Sequence, residues 1–284
     1  MTALDLLQRY QSGDRDFRGI HLINGDDGQL SGANLSGANF RQANFHKANL
    51  EGATLVGVNF REAYLVEANF NRATLILVNM IGADLTSASL YEADLTEAGM
   101  RSVNLARTEL NQAILRDANL NEANFDHASL RNVNLTDASL SRAKMMGVDL
   151  SNAVLDNANL TSALMNGAVL EGAHMTGSLL NGATLEGADM READLSRAKL
   201  TGTNLVNVNL SRANLRGANL SWSSLRGANL YGATLYRTKL SWSNLSGANL
   251  TESIMINAKL DYTNLRHAEL SKAMLPDGIT QIQT

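Results

Sequence analysis

Cysteine is absent from all 284 residues, which excludes disulfides, a thiolate nucleophile and any Cys-based metal site. Proline occurs once, at Pro276, and aromatic residues make up only 5% of the chain, so a large core has to be aliphatic. There is no apolar run long enough to span a bilayer. Met1-Thr2-Ala3 leads straight into charged positions, without the pattern of a signal peptide or a lipid anchor. The expectation is a cytoplasmic protein with no membrane partner. Lys and Arg number 24 against 28 Asp and Glu, a formal net charge of -4. That balance is too mild for a chain whose whole surface imitates DNA, and it argues against direct nucleic-acid binding.

What is present is a period. From Leu30 to Leu275 every fifth residue is Leu, Met or Phe: 50 consecutive positions, with 38 Leu, 7 Met and 5 Phe. Two residues before each stands a small one, Ala in 35 of the 49 slots from Ala33 to Ala273 and otherwise Val, Thr or Ser. On an α-helix a step of five rotates about 140°, so no stripe forms. In one continuous strand an odd step puts successive leucines on opposite faces. The pattern is satisfied if each pentad is a short extended piece followed by a bend. In Ala33-Asn34-Leu35-Ser36-Gly37, Ala33 and Leu35 then share the inward face, Asn34 points out, and Ser36-Gly37 turn the corner. Gly, Asn, Ser and Asp crowd the corners, as turn chemistry favours. Stacked coils would bury a core that grows along a solenoid.

Unusual residues give the coil length. Thr203, Ser223, Ser243 and Thr263 replace Ala at intervals of 20, as do Val58 and Val78. Trp222, Trp242 and Tyr262 stand 20 apart, and so do Glu97, Asp117 and Asp137. Four pentads therefore close one roughly square coil, and the repeats make about 12.5 coils, a rod on the order of 60 Å long at strand spacing. If buried, each central Leu contributes roughly 2 kcal/mol before entropy, enough for an independent fold.

These residues resemble the pentapeptide repeat family, whose consensus is close to A(N/D)LXX, over residues 30–275. Leu6-Leu7-Gln8-Arg9-Tyr10 with Gly13 and Asp16-Phe17 is similar to the N-terminal cap of cyanobacterial members, and Leu275-Pro276-Asp277-Gly278 to their C-terminal stop. The resemblance implies an all-β fold, a right-handed quadrilateral parallel β-helix solenoid with a short N-terminal capping α-helix. It also implies two kinds of function. One branch of the family binds DNA gyrase and protects it from inhibitors by imitating DNA, while most other members have no assigned activity.

The expected organisation is a capping helix and lead-in over 1–28, the repeats over 29–275, and a polar tail over 276–284. Thr2 followed by Asp5 predicts a helix start and Gly13 its stop. Leu4, Leu7 and the Leu6/Tyr10 pair supply an apolar face to cover the first coil, which otherwise exposes strand edges. Phe17 and Leu22 are five apart but out of phase with Leu30, so Gly25-Asp26-Asp27-Gly28 reads as a loop absorbing three extra residues. Pro276 ends the repeats because it cannot donate to a ladder.

Chemistry-bearing constellations are few. Of His21, His46, His127, His174 and His267, only His127 and His267 share a column, seven coils apart. The glycine-rich stretch from Gly32 to Gly37 lacks a following helix and a P-loop lysine. No catalytic residue, cofactor or metal site is assigned, and the chain reads as a non-enzyme. Glu97, Asp117 and Asp137 stack carboxylates on successive coils. That arrangement invites a cation, but a solvated face, relieved by neighbours such as Arg116 and by screening, accounts for it better.

The candidate interaction surface lies further on. Between Asp194 and Glu252 there is no acidic residue and there are seven basic ones. Arg197, Arg216 and Arg237 fall along one face, with Tyr236 adjoining them and Lys199, Lys239 and Lys259 flanking it at the following corner. Trp222, Trp242 and Tyr262 occupy outward corners of three consecutive coils, as a cross-rung stack or as an interface patch. Glu192/Arg212 and Glu252/Lys272 are placed to pair across one coil. Thr203, Ser223, Ser243 and Thr263 should bond to each other or to backbone. The sequence thus points to a non-catalytic, rod-like scaffold that binds an unidentified protein through its faces. The alternatives are a DNA-mimic modulator of a topoisomerase and a cation- or ligand-binding rod. A homodimer through the C-terminal coil is a further expectation.

Overall fold

The computed structural model describes residues 1–22 and 28–276. Gly25, Asp26 and Asp27 of the expected loop, and the tail 277–284, lie outside them. The chain forms two compact units, Met1–Lys144 and Met145–Thr284, each built from the same pentad.

The extended part of a pentad is one bridge. In the first unit Asn34 pairs in parallel with Thr54, Asn39 with Asn59 and Asn44 with Tyr64; in the second, Asn204 pairs with Ser224 and Asn209 with Asn229. Each partner is one coil of 20 residues away, so four pentads make a turn and each unit is a right-handed quadrilateral parallel β-helix. Both groups of each rung are used: Leu35 N–H donates to the Thr54 carbonyl at 2.9 Å and Thr54 N–H to the Ala33 carbonyl at 2.9 Å. The bend is a β-turn, as where Ala38 N–H donates to the Leu35 carbonyl at 3.1 Å.

The third residue of these turns, from Gly32 to Lys272, has a positive φ near 60°, the type II signature. Gly, Asn, Ser and Asp hold 26 of the 49 such places, as turn chemistry favours, yet Leu77, Arg107, Glu122, Trp222 and Trp242 adopt the same left-handed conformation, with φ between 54° and 64° across the non-glycine examples. A left-handed side-chain-bearing residue costs roughly 1 kcal/mol or more. The square coil imposes that conformation whatever residue stands there, and the buried rungs on either side sustain it.

Inward positions are Leu, Met or Phe and, two residues earlier, Ala. Leu115, Met145, Ala168 and Leu210 are at most 1% exposed. Near the N-terminus the core is aromatic, with Phe17, Phe40 and Phe60 stacked at 5.4 and 5.3 Å between ring centroids. The inward hydroxyls of Thr203, Ser223, Ser243 and Thr263 bond to backbone and not to one another: Thr203 Oγ1 donates to the Leu200 carbonyl at 2.7 Å and Ser223 Oγ to the same carbonyl at 2.6 Å.

The residue between Ala and Leu does more than point outward. Asn59 Oδ1 accepts the Arg61 amide at 3.1 Å, bracing the next turn, while Asn59 Nδ2 reaches Asn39 Oδ1 on the previous rung at 3.1 Å. Asn69/Asn49 and Asn264/Asn244 repeat that ladder. The consensus Asn or Asp is therefore a turn brace and a rung clamp together.

Helix α1, Ala3–Gln11, has a capping box between Thr2 and Asp5, and Gly13 follows it with φ 99°. Ala3 and Leu6 are buried. Leu4 is not part of the covering face: it is 52% exposed, because the helix docks on its Ala3/Leu6 side. Tyr10 Oη fixes the cap by donating to the Ser36 carbonyl at 2.8 Å. Behind the cap, Asp16 bridges Asn39 and His21 bridges Asn44. These bridges step by three residues more than a coil, the excess read from the sequence.

Truncating a central rung tests the architecture. Leu115→Ala empties a fully buried site and should cost about 2–5 kcal/mol, read from the denaturant midpoint. A loss below about 1 kcal/mol would contradict inward packing.

Candidate interaction surface

The turn geometry projects side chains outward in columns, one per coil, at fixed pitch. In the second unit one face carries the parallel ladder Lys199–Asn219–Lys239–Lys259. The corner entering this face holds Arg197, Arg216, Tyr236 and Arg237. The corner leaving it holds Trp222, Trp242 and Tyr262. A single stretch, Tyr236-Arg237-Thr238-Lys239-Leu240-Ser241-Trp242, crosses all three zones. The structure therefore joins the basic stripe and the aromatic column, which the sequence left as separate features, into one surface.

The aromatic column is stacked. Trp222 and Trp242 lie 5.0 Å apart between ring centroids with 2° between planes, and Trp242 and Tyr262 4.2 Å apart at 18°. They remain 63%, 49% and 75% exposed respectively, so the stack turns a large apolar area toward solvent. At the opposite corner Tyr236 is half-buried between two guanidinium groups, with Arg216 at 4.7 Å and Arg237 at 5.1 Å from its ring centroid. These cation–π contacts orient both arginines. The sequence placed Tyr236 nearby; the double stacking comes from side-chain direction at the corner.

Arg197, Lys199, Arg216, Arg237, Lys239 and Lys259 are exposed, and none forms an ion pair with a carboxylate among the described residues. Elsewhere charges are matched across rungs. Glu192 pairs with Arg212 at 3.6 Å and Glu252 with Lys272 at 3.2 Å, as their spacing predicts. Arg191 bridges Glu171 at 2.9 Å and Asp189 at 2.8 Å. Glu171, Arg191, Glu192 and Arg212 line a shallow polar depression with Tyr231 and Asn249, and Tyr231 Oη donates to Glu252 at 2.7 Å. Its charges already satisfy one another. In the first unit Arg72–Glu92 at 2.8 Å and Lys47–Glu67 at 3.5 Å follow the same one-coil rule.

The acidic column is an exception. Glu97, Asp117 and Asp137 are exposed, and Arg116 forms no ion pair with them. Among the described residues no group of three His, Asp or Glu side chains is placed to hold a metal ion. His46 has Nδ1 at 3.0 Å from the Val66 carbonyl and its ring 5.8 Å from Tyr64, a packing role. No described helix is long and apolar enough to cross a membrane.

The rung pairs set the acid response. Arg61 and Arg41 hold the Glu62 carboxyl below its ordinary 4.5, Arg142 does so for Glu122, and Tyr231 with Lys272 for Glu252. A depressed carboxyl contributes stability that is present above its unfolded value and lost as pH falls through the folded one. The unfolding midpoint should therefore stay level from about pH 7 to 5 and decline below about pH 4. A maximum near pH 4 in a pH series would contradict this.

The aromatic column allows a sharper test. Trp222→Gly with Trp242→Gly removes two stacked pairs of about 0.5–1.5 kcal/mol each and relieves two left-handed side-chain-bearing residues at about 1 kcal/mol each. Stability should stay within about 1 kcal/mol of wild type. A loss above about 3 kcal/mol would make the column a brace and not a binding surface.

A family model described as pentapeptide repeats matches the chain in overlapping stretches from 29–62 through 238–275. A search of curated proteins finds no match. Among solved structures, HetL, a pentapeptide repeat protein involved in heterocyst differentiation regulation from the cyanobacterium Nostoc sp. strain PCC 7120, is 29% identical, with 98% of each chain covered and a TM-score of 0.30. A trypsin-treated form of QnrB1, a plasmid-mediated fluoroquinolone resistance protein, is 15% identical, with 76% of this chain and 90% of that one covered and a TM-score of 0.41. Rfr23, a pentapeptide repeat protein from the cyanobacterium Cyanothece 51142, is 26% identical over 41% of this chain and 63% of its own, with a TM-score of 0.19.

Proposed function

The chain belongs to the pentapeptide repeat family, and from that premise we propose that it is a non-catalytic scaffold that binds another protein through the faces of its β-helix. Proteins of the family are generally structural or interaction proteins and not enzymes. The observation that carries the reading is the Arg–Lys–aromatic surface: six exposed cations without a carboxylate partner among the described residues, flanked by three stacked and exposed aromatic rings.

Open cations beside a flat apolar edge suit an acidic protein surface that ends in an apolar or aromatic patch. Aromatic and Arg side chains are enriched at the centres of interfaces, where they carry most of the binding energy. The lysines and arginines would speed encounter and set orientation, and the aromatic column would supply the contact that holds. DNA mimicry is the weaker reading, because an imitation of DNA needs a concentrated negative surface and this face is positive. A cytoplasmic location belongs to the proposal and is checked by cell fractionation.

Affinity capture from the native cell tests the reading. Trp222→Ala/Trp242→Ala/Tyr262→Ala should lose a protein that wild type retains, with affinity reduced about 30-fold or more. Lys199→Glu/Lys239→Glu should reduce capture and remove its salt dependence. If wild type and both variants capture the same proteins equally, this surface is not where the scaffold binds.

A further inference from the structure

We infer that the partner element recognised by the basic and aromatic surface of the second unit is an acidic amphipathic α-helix of about three turns, laid lengthwise along one face of the coils. This rests on the reading above and names the structure that fits the surface. Every residue it uses lies within Met145–Thr284.

The surface is three rows wide and four rungs long. Lys199, Asn219, Lys239 and Lys259 bridge one another in turn along the middle of the face. Arg197, Arg216 and Arg237 line one rim over the first three rungs, and Trp222, Trp242 and Tyr262 the other rim over the last three. Gly202, with φ 68°, takes the aromatic place on the first rung. Three intervals of about 4.8 Å make the site about 14 Å long. Three residues lie between the turns on each side of the coil, and at about 3.3 Å apiece they make a face about 10 Å wide. An α-helix with its side chains is about 10–12 Å across and rises about 1.5 Å per residue, so about ten residues cover the four rungs.

The rows decide between a helix and a strand. An extended segment laid the same way turns alternate side chains to opposite faces, so only one row would meet the surface. A helix carries acidic residues at spacings of three and four in one stripe and apolar residues in another about 100° round, and so meets cations and rings together. Its turns repeat at about 5.4 Å against rungs at about 4.8 Å, a mismatch of under about 2 Å over the site, which flexible lysine and arginine side chains absorb. The aromatic column narrows the choice further. Trp222 and Trp242 are 2° from parallel at 5.0 Å, so neighbouring rings fill each other's faces and the column turns its edges outward. A nucleobase stacks on a ring face, whereas aliphatic side chains pack along edges. The helix orders as it docks, because like charges four residues apart destabilise it when free and about ten residues are too few to hold it in water.

Titration of the full chain with synthetic peptides tests the proposal. The probe is a peptide of about fourteen residues, with four Glu at spacings of four and three, Leu after three of them and Ala elsewhere. Intrinsic fluorescence reads binding directly, because the chain's two tryptophans both stand in the column. The probe should change that emission and gain helix by circular dichroism. Proline at its centre should weaken binding at least about tenfold, and so should the same composition rearranged with Glu and Leu alternating as in a strand. Lys199→Glu/Lys239→Glu should weaken it at least about 30-fold by setting like charges opposite one another. A probe that does not bind at about 1 mM would overturn the proposal, as would proline or alternating peptides that bind equally well, or a charge reversal without effect. If the aromatic and lysine variants still lose a captured cellular protein while the probe fails, the surface binds a partner and the helix is wrong. If neither responds, both readings fall.

Discussion

The turn between pentads is the constraint on which the rest depends. Its hydrogen bond from the residue after the corner back to the central Leu, with a left-handed residue at the third place, bends the chain by a quarter turn every five residues. The bend allows Ala and Leu of each pentad to face inward together, and it brings the next coil beneath the last at strand spacing. Backbone pairing then saturates amides and carbonyls between coils, and the Asn or Asp before each Leu secures the turn and the rung with one side chain. Removing the left-handed corner would leave the period of five with no regular structure to fit.

That constraint also governs the surface. Side chains leave the corners at fixed positions, so the fate of a charge or ring depends on what stands one coil above and below it. Several charges find an opposite partner there, as Arg72 finds Glu92 and Lys272 finds Glu252. Where like residues recur at the same position, the scaffold stacks them instead. Trp222, Trp242 and Tyr262 become a column of rings, Lys199, Lys239 and Lys259 a column of ammonium groups, and Glu97, Asp117 and Asp137 a column of carboxylates. A stacked column concentrates one chemistry on one line, and such lines can recognise a partner in the absence of a cavity.

Much of this was legible in the amino-acid order. The five-residue spacing identified the inward residues, and substitutions recurring at 20 identified the coil. The phase slip between Leu22 and Leu30 gave the three-residue excess seen in the Asp16–Asn39 and His21–Asn44 bridges. Thr2, Asp5 and Gly13 marked the ends of α1. Less legible were features set by side-chain direction. Leu4 looked like part of the covering face and is exposed, because periodicity gives a helix an apolar arc but not the angle at which it docks. Arg116 looked like a neighbour of the acidic column and pairs with none of it. The candidate surface was visible only as two lists of residues, one basic and one aromatic.

By itself the sequence determined what is inside, how long a coil is and which outward residues share a column. Those depend on spacing along the chain, and spacing is written in the order of residues. Only the tertiary structure decided that the arginine corner, the lysine face and the aromatic column form one surface, that Tyr236 lies between two guanidinium groups, and which charges are left without partners. These depend on where each side chain points once the corner has taken its left-handed turn, and side chains on adjacent coils meet only after the coils have stacked.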